Sequence, residues 1–152
     1  MNIVEPKRVD LKNAKAVHFG APDLWTNYVY RNEEREMEFP GKLWVKEMLG
    51  LTGAEISLSS MPPGASVPFN HTHSQNEELY VFLEGEGQML LDGEMVDVSA
   101  GTIVRVDPLA VRCWRNTGTK NLIHLVIQVK ANSLEQWTGT DGSMTDDGPK
   151  WA

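Results

Sequence analysis

The sequence predicts an all-β domain, a single antiparallel β-barrel or sandwich, and three observations carry that prediction. From Leu43 onward, short apolar or alternating runs rich in β-formers recur, each bounded by Gly, Pro, Asn or Asp. Asp92-Gly93 separates two of these runs and suits a tight hairpin, because glycine tolerates the positive φ that such a turn demands. After residue 43 no convincing helical segment separates one run from the next, which argues against a parallel α/β sheet.

The expected strands are Leu43 to Met48, Ala54 to Met61, Glu78 to Glu84, Gly87 to Leu91, Glu94 to Val98, Thr102 to Val106, Arg112 to Asn116 and Leu122 to Val129. Asn116 to Thr119 reads as a turn joining the last two. Residues 1–42 read as an N-terminal extension packing on the barrel of residues 43–130, with Glu33 to Glu38 a solvated charge run. Residues 131–152 read as a tail, in which Ser133 to Gln136 could open a short helix through a capping box. Trp151 near its end suggests partial docking, since an indole is an odd choice for a segment that never packs.

At 152 residues the chain fits one core. Asp and Glu number 21 against 14 Lys and Arg, a formal charge of −7, so no broad basic field exists to attract nucleic acid or anionic lipid. A single cysteine, Cys113, allows no internal disulfide. No apolar run approaches membrane-spanning length, and the first residues lack the apolar core of a signal peptide, so a cytoplasmic protein is expected. The glycosylation triplet Asn70-His71-Thr72 is then an accidental match.

Two of the four histidines are His71 and His73, and an H-x-H pair on extended backbone points both imidazoles to one side. Glu78 opens the next strand, and a turn through Ser74 to Glu77 could return its carboxylate to the same ion. Two imidazoles and a carboxylate form a facial triad that leaves positions open for water, substrate or dioxygen. The stretch GASVPFNHTHSQNEELYVFLEGEG resembles the first motif of the cupin superfamily, with Gly64, His71, His73, Glu78 and Gly85 in the motif positions. Its spacer from Gly64 to His71 is one residue longer than the family's usual five. GTIVRVDPLAVRCWRN stands in the register of the second motif. Gly101 and Asn116 fall in place, but Asp107 and Leu109 replace the proline and glycine, and Arg112 takes the position of the fourth ligand, a histidine.

The resemblance implies a jelly-roll barrel, a double-stranded β-helix, whose lumen binds a small molecule. Cupin relatives include dioxygenases, isomerases, decarboxylases and ligand-binding modules, and fold alone does not choose among them. Arginine stays protonated and cannot ligate a metal, so three readings stand. His71, His73 and Glu78 hold a divalent Fe, Mn, Ni or Zn while Arg112 grips an anionic group of the substrate through its planar fork. Alternatively the metal is absent, and Arg112 pairs with Glu78 in a non-catalytic ligand-binding protein. In the third, His124 moves in as a substitute ligand, although the face of LIHLVIQV that lines the lumen is undecidable from sequence.

Tyr80, Phe82 and Trp114 share faces with Glu78 or Arg112 and should form lumen wall, whereas Cys113 should face away. Gln75, between His73 and Glu78, is a further candidate for the site. A third function, sugar modification with His71 or His73 as acid or base, requires no metal. Exposed edges and apolar outer strand faces make a homodimer the expected assembly.

Overall fold

The computed structural model describes residues 5–151. Residues 1–4 of the expected extension and Ala152 of the expected tail lie outside the described residues. The chain folds into β1 (Lys7–Asp10), β2 (Lys15–His18), a 3-10 helix (Pro22–Asn27), β3 (Val29–Asn32), β4 (Met37–Pro40), β5 (Lys42–Trp44) and α1 (Lys46–Leu49). There follow β6 (Glu55–Met61), β7 (Asn76–Glu84), β8 (Glu86–Leu91), β9 (Glu94–Ser99), β10 (Ile103–Val106), β11 (Arg112–Asn116), β12 (Leu122–Lys130) and α2 (Thr138–Asp141).

Two antiparallel sheets carry the site, one ordered β10-β7-β12-β6-β5 and the other β11-β8-β9. They are separate hydrogen-bonded sheets rather than one continuous closed barrel, so the expected all-β architecture is present as a two-sheet, jelly-roll arrangement. Between them Tyr80, Phe82, Met89, Val98, Val106, Trp114, Leu122 and Val126 form the inner core. Asp92 and Gly93 adopt φ of 50° and 90°, and these two left-handed residues turn β8 into β9 as their chemistry demands. At the other end, Asn116 Oδ1 accepts from the Gly118 N–H while its Nδ2 donates to the Met61 and Lys120 carbonyls, which pins the β11–β12 turn.

β12 lies between β7 and β6 and is covered on both faces. Leu122, His124 and Val126 point into the inner core, whereas Ile123 packs outward against Phe19, Trp25, Leu43 and Val45. Phe19 and Trp25 belong to the segment before β5, so that segment supplies the cover of the larger sheet's outer face. It is not featureless there: β1–β2 and β3–β4 are hairpins, and Glu33 to Glu36 of the charge run form the exposed turn of the second, while Met37 and Glu38 open β4.

Three local expectations are corrected. The strand expected over Leu43 to Met48 ends at Trp44, because Lys46–Leu49 closes a helical turn whose exit, Gly50, is left-handed at φ 66°. Ser133 to Gln136 is not helical, and the one helical turn of the tail falls later, at Thr138–Asp141. Trp151 is 90% exposed, so no docking of that indole occurs within the described residues.

His124 packs against Phe82 and Trp114, with ring centroids 5.4 and 5.8 Å away. Burial first, and the Lys42 charge second, push its pKa down to about 3, against a smaller opposing effect of the Leu122 backbone. A histidine held neutral in the fold binds its proton more readily in the unfolded chain. Its contribution to stability is therefore complete above pH 6.5 and is lost as pH falls toward 3. In urea unfolding with chelator present, His124→Leu is expected to lose about 2 kcal/mol less than the parent protein between pH 7 and pH 5; equal losses would contradict a buried neutral imidazole.

Gly85 closes β7 at φ 84°, and a Cβ there would stand 2.5 Å from the Asn121 carbonyl oxygen and 3.0 Å from Leu122 Cα. Gly85→Ala therefore adds a steric clash to left-handed strain. It is expected to cost about 2 kcal/mol or more of unfolding free energy, measured by the same titration.

Candidate metal and ligand site between the sheets

The segment between β6 and β7 runs beside β11 as an irregular extra strand of the smaller sheet. Val67 N–H donates to the Trp114 carbonyl at 2.9 Å, and His71 and Arg112 exchange backbone hydrogen bonds of 3.2 and 3.1 Å. Two residues on, His73 N–H donates to the Pro108 carbonyl at 2.8 Å. This pairing fixes both histidines on extended backbone, with ring centroids 5.5 Å apart. Glu78 comes from the opposing sheet, on β7, where it is 5% exposed. One potential ligand atom from each of His71, His73 and Glu78 falls within 4.8 Å of the others.

The Glu78 carboxylate is nearly saturated. Its Oε2 accepts from the Tyr80 hydroxyl at 2.8 Å and from Arg112 Nε at 3.0 Å, and its Oε1 accepts from Gln128 Nε2 at 3.1 Å. His73 Nε2 also lies 3.1 Å from Oε1, but it is not aligned as a hydrogen bond and has no partner among the described residues. Burial raises the Glu78 carboxyl, yet the Tyr80 hydrogen bond, His73 and Arg112 outweigh it and hold the group below the usual range. Glu78 is thus an anion at neutral pH. Tyr80 is pushed upward by burial and by that anion, so its hydroxyl stays a donor. His71 is lowered, mostly by burial and against the pull of Glu78, with Arg112, His73 and Lys42 adding to the fall.

These features fit a divalent cation. His71 is held neutral and its Nδ1 is buried without a partner among the described residues, as is His73 Nε2. With Oε2 filled twice and Oε1 once, Glu78 retains one lone pair, enough to ligate through a single oxygen.

Arg112 is completely buried, and its fork is mostly committed to the protein. Nε serves Glu78, and Nη1 donates to the Pro108 and Ala110 carbonyls at 2.9 and 2.7 Å. Only Nη2 is left without a partner among the described residues, so the two parallel N–H bonds of a bidentate grip on substrate are not on offer. His124 faces the lumen but stands outside the three-residue ligand cluster. Gln75 is exposed, and Cys113, paired with Leu90 beside the buried Arg112 and Trp114, is a free thiol on the alternate face. Tyr80, Phe82 and Trp114 are buried wall, as the period of two implied.

Two participants escaped the sequence reading. Gln128 meets Glu78 because the β7–β12 register sets them opposite each other, and the two-residue period already placed Gln128 on the His124 face. Lys42 enters the lumen beside Trp44, opposite Ser59 of β6. It sits one residue before the strand boundary as read from sequence.

The cupin domain profile matches residues 57–128. In solved structures, a cupin protein from Bacteroides fragilis is 42% identical with a TM-score of 0.65, over 68% of this chain and 88% of that one. A predicted oxalate decarboxylase from Thermotoga maritima is 25% identical with a TM-score of 0.53, over 82% of this chain and 91% of that one. A putative sugar phosphate isomerase from Acidithiobacillus ferrooxidans, 24% identical with a TM-score of 0.53 over 60% of this chain and 59% of that one, shares the fold. No curated protein matches the chain. Among the described residues no helix is long and apolar enough to cross a membrane. With the His pair, Glu78 and Gly85 in the positions of the first motif and a 42% identical cupin spanned over most of its length, the chain belongs to the cupin superfamily.

Proposed function

We propose that this protein is a metal-dependent enzyme acting on a small anionic molecule, with His71, His73 and Glu78 as the ligands of a divalent transition metal. The observation that carries the reading is the convergence of the three side chains within 4.8 Å, two of them with buried nitrogens that have no partner among the described residues. Two imidazoles and one carboxylate suit Fe, Mn, Ni or Zn. A metal so held supplies a Lewis acid with open positions.

The chain's own groups prepare the site. Tyr80, Arg112 and Gln128 hold Glu78 in one orientation and keep it ionised, the supporting role that partners of a metal ligand play. Arg112 is accordingly a positioning residue, narrower than the substrate grip expected from its place in the motif. Trp114 and Tyr80, 5.1 Å apart by ring centroids, wall the buried side of the site. The resemblance to a predicted oxalate decarboxylase supports a small acid as ligand.

The Arg112–Glu78 ion pair specifically favours a second reading, in which the guanidinium has replaced the cation and the protein binds its ligand without metal. Elemental analysis of protein purified without a histidine tag separates the two. About one transition-metal ion per chain is expected, falling at least roughly ten-fold in His71→Ala; a folded protein that takes up no metal would leave the second reading.

Arg112 and a bound cation would share the charge of Glu78. Arg112→Met should cost the metal-free protein roughly 3 kcal/mol, because it strands a buried carboxylate. Saturating metal should restore more stability to that variant than it adds to the parent protein, and equal increments in thermal unfolding would show that the two cations do not share Glu78.

A further inference from the structure

Cross-strand register places a second polar group in the lumen, away from the His-Glu cluster. Lys42 of β5 stands opposite Ser59 of β6, which stands opposite His124 of β12, and Trp44 stands opposite Ser57 in the next row. Leu43, between Lys42 and Trp44, packs in the outer core, so these two side chains point inward. The Lys42 ammonium lies 4.8 Å from the Trp44 ring centroid and 6.0 Å from that of Trp114. Among the described residues no carboxylate stands within ion-pair distance of it. His71 approaches the same Trp114 ring to 6.1 Å, so the metal-ligand cluster and the ammonium flank one indole.

The remaining unpartnered groups point to the chemistry of the occupant. Among the described residues Trp44 Nε1, Trp114 Nε1 and Arg112 Nη2 are buried donors without acceptors, the Ser57 hydroxyl is unpaired, and both ring nitrogens of the neutral His124, one donor and one acceptor, lack partners. With the Lys42 ammonium, donors outnumber acceptors among these groups, and buried donors demand acceptors. A ligand that is itself a donor would leave them unsatisfied.

We propose that Lys42 is the anion receptor of this lumen and that its ligand is a small carboxylate, bound between the ammonium and the His71–His73–Glu78 cluster under the Trp44 and Trp114 rings. The proposal rests on the reading above of this lumen as a ligand site, and it gives that reading a substrate class and a residue. It moves the anion-binding role from Arg112, whose fork is committed to Glu78 and two carbonyls, to a cation with no carboxylate partner among the described residues. One ammonium balances one carboxylate, whereas a phosphate dianion would call for more positive charge than Lys42 supplies. Burial lowers the Lys42 pKa to about 8, with Glu78 and Glu55 opposing, so the receptor is cationic at neutral pH.

Calorimetric titration of the protein as purified tests this with acetate, pyruvate and benzoate, their neutral amides, and inorganic phosphate. At least one carboxylate should bind, and at least about ten-fold more tightly than its amide. Lys42→Met should weaken that carboxylate by roughly ten- to a hundred-fold, the range for losing a charged hydrogen-bond partner. It should leave metal content and amide affinity unchanged, and Lys42→Arg should retain most of the affinity.

Undiminished carboxylate affinity in Lys42→Met overturns the proposal, as does phosphate binding more tightly than all three acids. So does the absence of any carboxylate binding to the parent protein. Metal-replete protein whose carboxylate binding ignores Lys42 defeats this proposal alone; metal-free protein whose carboxylate binding depends on Lys42 defeats the metal reading alone. Should Lys42→Met not fold, acetic anhydride labelling of the parent protein, read at Lys42 by mass spectrometry, should slow at least about three-fold with the bound acid. Unchanged labelling would count against the proposal equally.

Discussion

Taking a carboxylate out of water costs several kcal/mol unless its charge and lone pairs are met, and Glu78 is 5% exposed between two sheets. Each group that meets it comes from a different part of the fold. Tyr80 rises from the same strand, Gln128 from the neighbouring β12, Arg112 from the opposite sheet, and His73 from the segment laid along β11. Satisfying one buried anion thus fixes the spacing of the two sheets and the register of β12 on β7. It also sets how far the His-bearing segment stands from Glu78. The inner aromatic core packs around that arrangement, with Trp114 touching Tyr80, His71 and His124 at once.

What could be read from sequence follows the range of each interaction. The H-x-H pair, Glu78 and the Asp92-Gly93 turn are close in sequence, so their backbone geometry is dictated within a few residues and is legible there. Gln128 is fifty residues from Glu78, and only the pairing of β12 with β7 brings them together. The inward face of β12 was undecidable because both faces are buried, one by the inner core and one by Phe19 and Trp25, which erases the alternation that a half-exposed strand would show. Lys42 was passed over because its meaning depends on Leu43 facing outward. The strand that begins there is also cut short by the helical turn at Lys46, so too few residues remain to reveal the alternation. Trp151 misled because composition records what a residue could bury and not whether a surface exists to receive it.

The second motif departs from the family at three positions, and the structure makes these departures parts of one adaptation. An arginine in place of a ligand histidine brings a charge and five N–H donors into a dry site, and each donor needs an acceptor. The loop that carries Asp107-Pro108-Leu109 instead of Pro-x-Gly turns its Pro108 and Ala110 carbonyls onto Arg112 Nη1. The Pro108 carbonyl accepts from the His73 N–H as well, so the loop that accommodates the arginine also holds the backbone of His73. A histidine restored at position 112 would leave both carbonyls short of Nη1 and Glu78 Oε2 short of Nε. The site is therefore not a four-ligand set with one member simply lost: Arg112 stands as an internal cation that orders the Glu78 carboxylate beside His71 and His73. The side where the fourth ligand would stand is closed by Arg112, and the Lys42 ammonium lies over the same Trp114 ring that His71 approaches, beside indole donors that have no partner among the described residues.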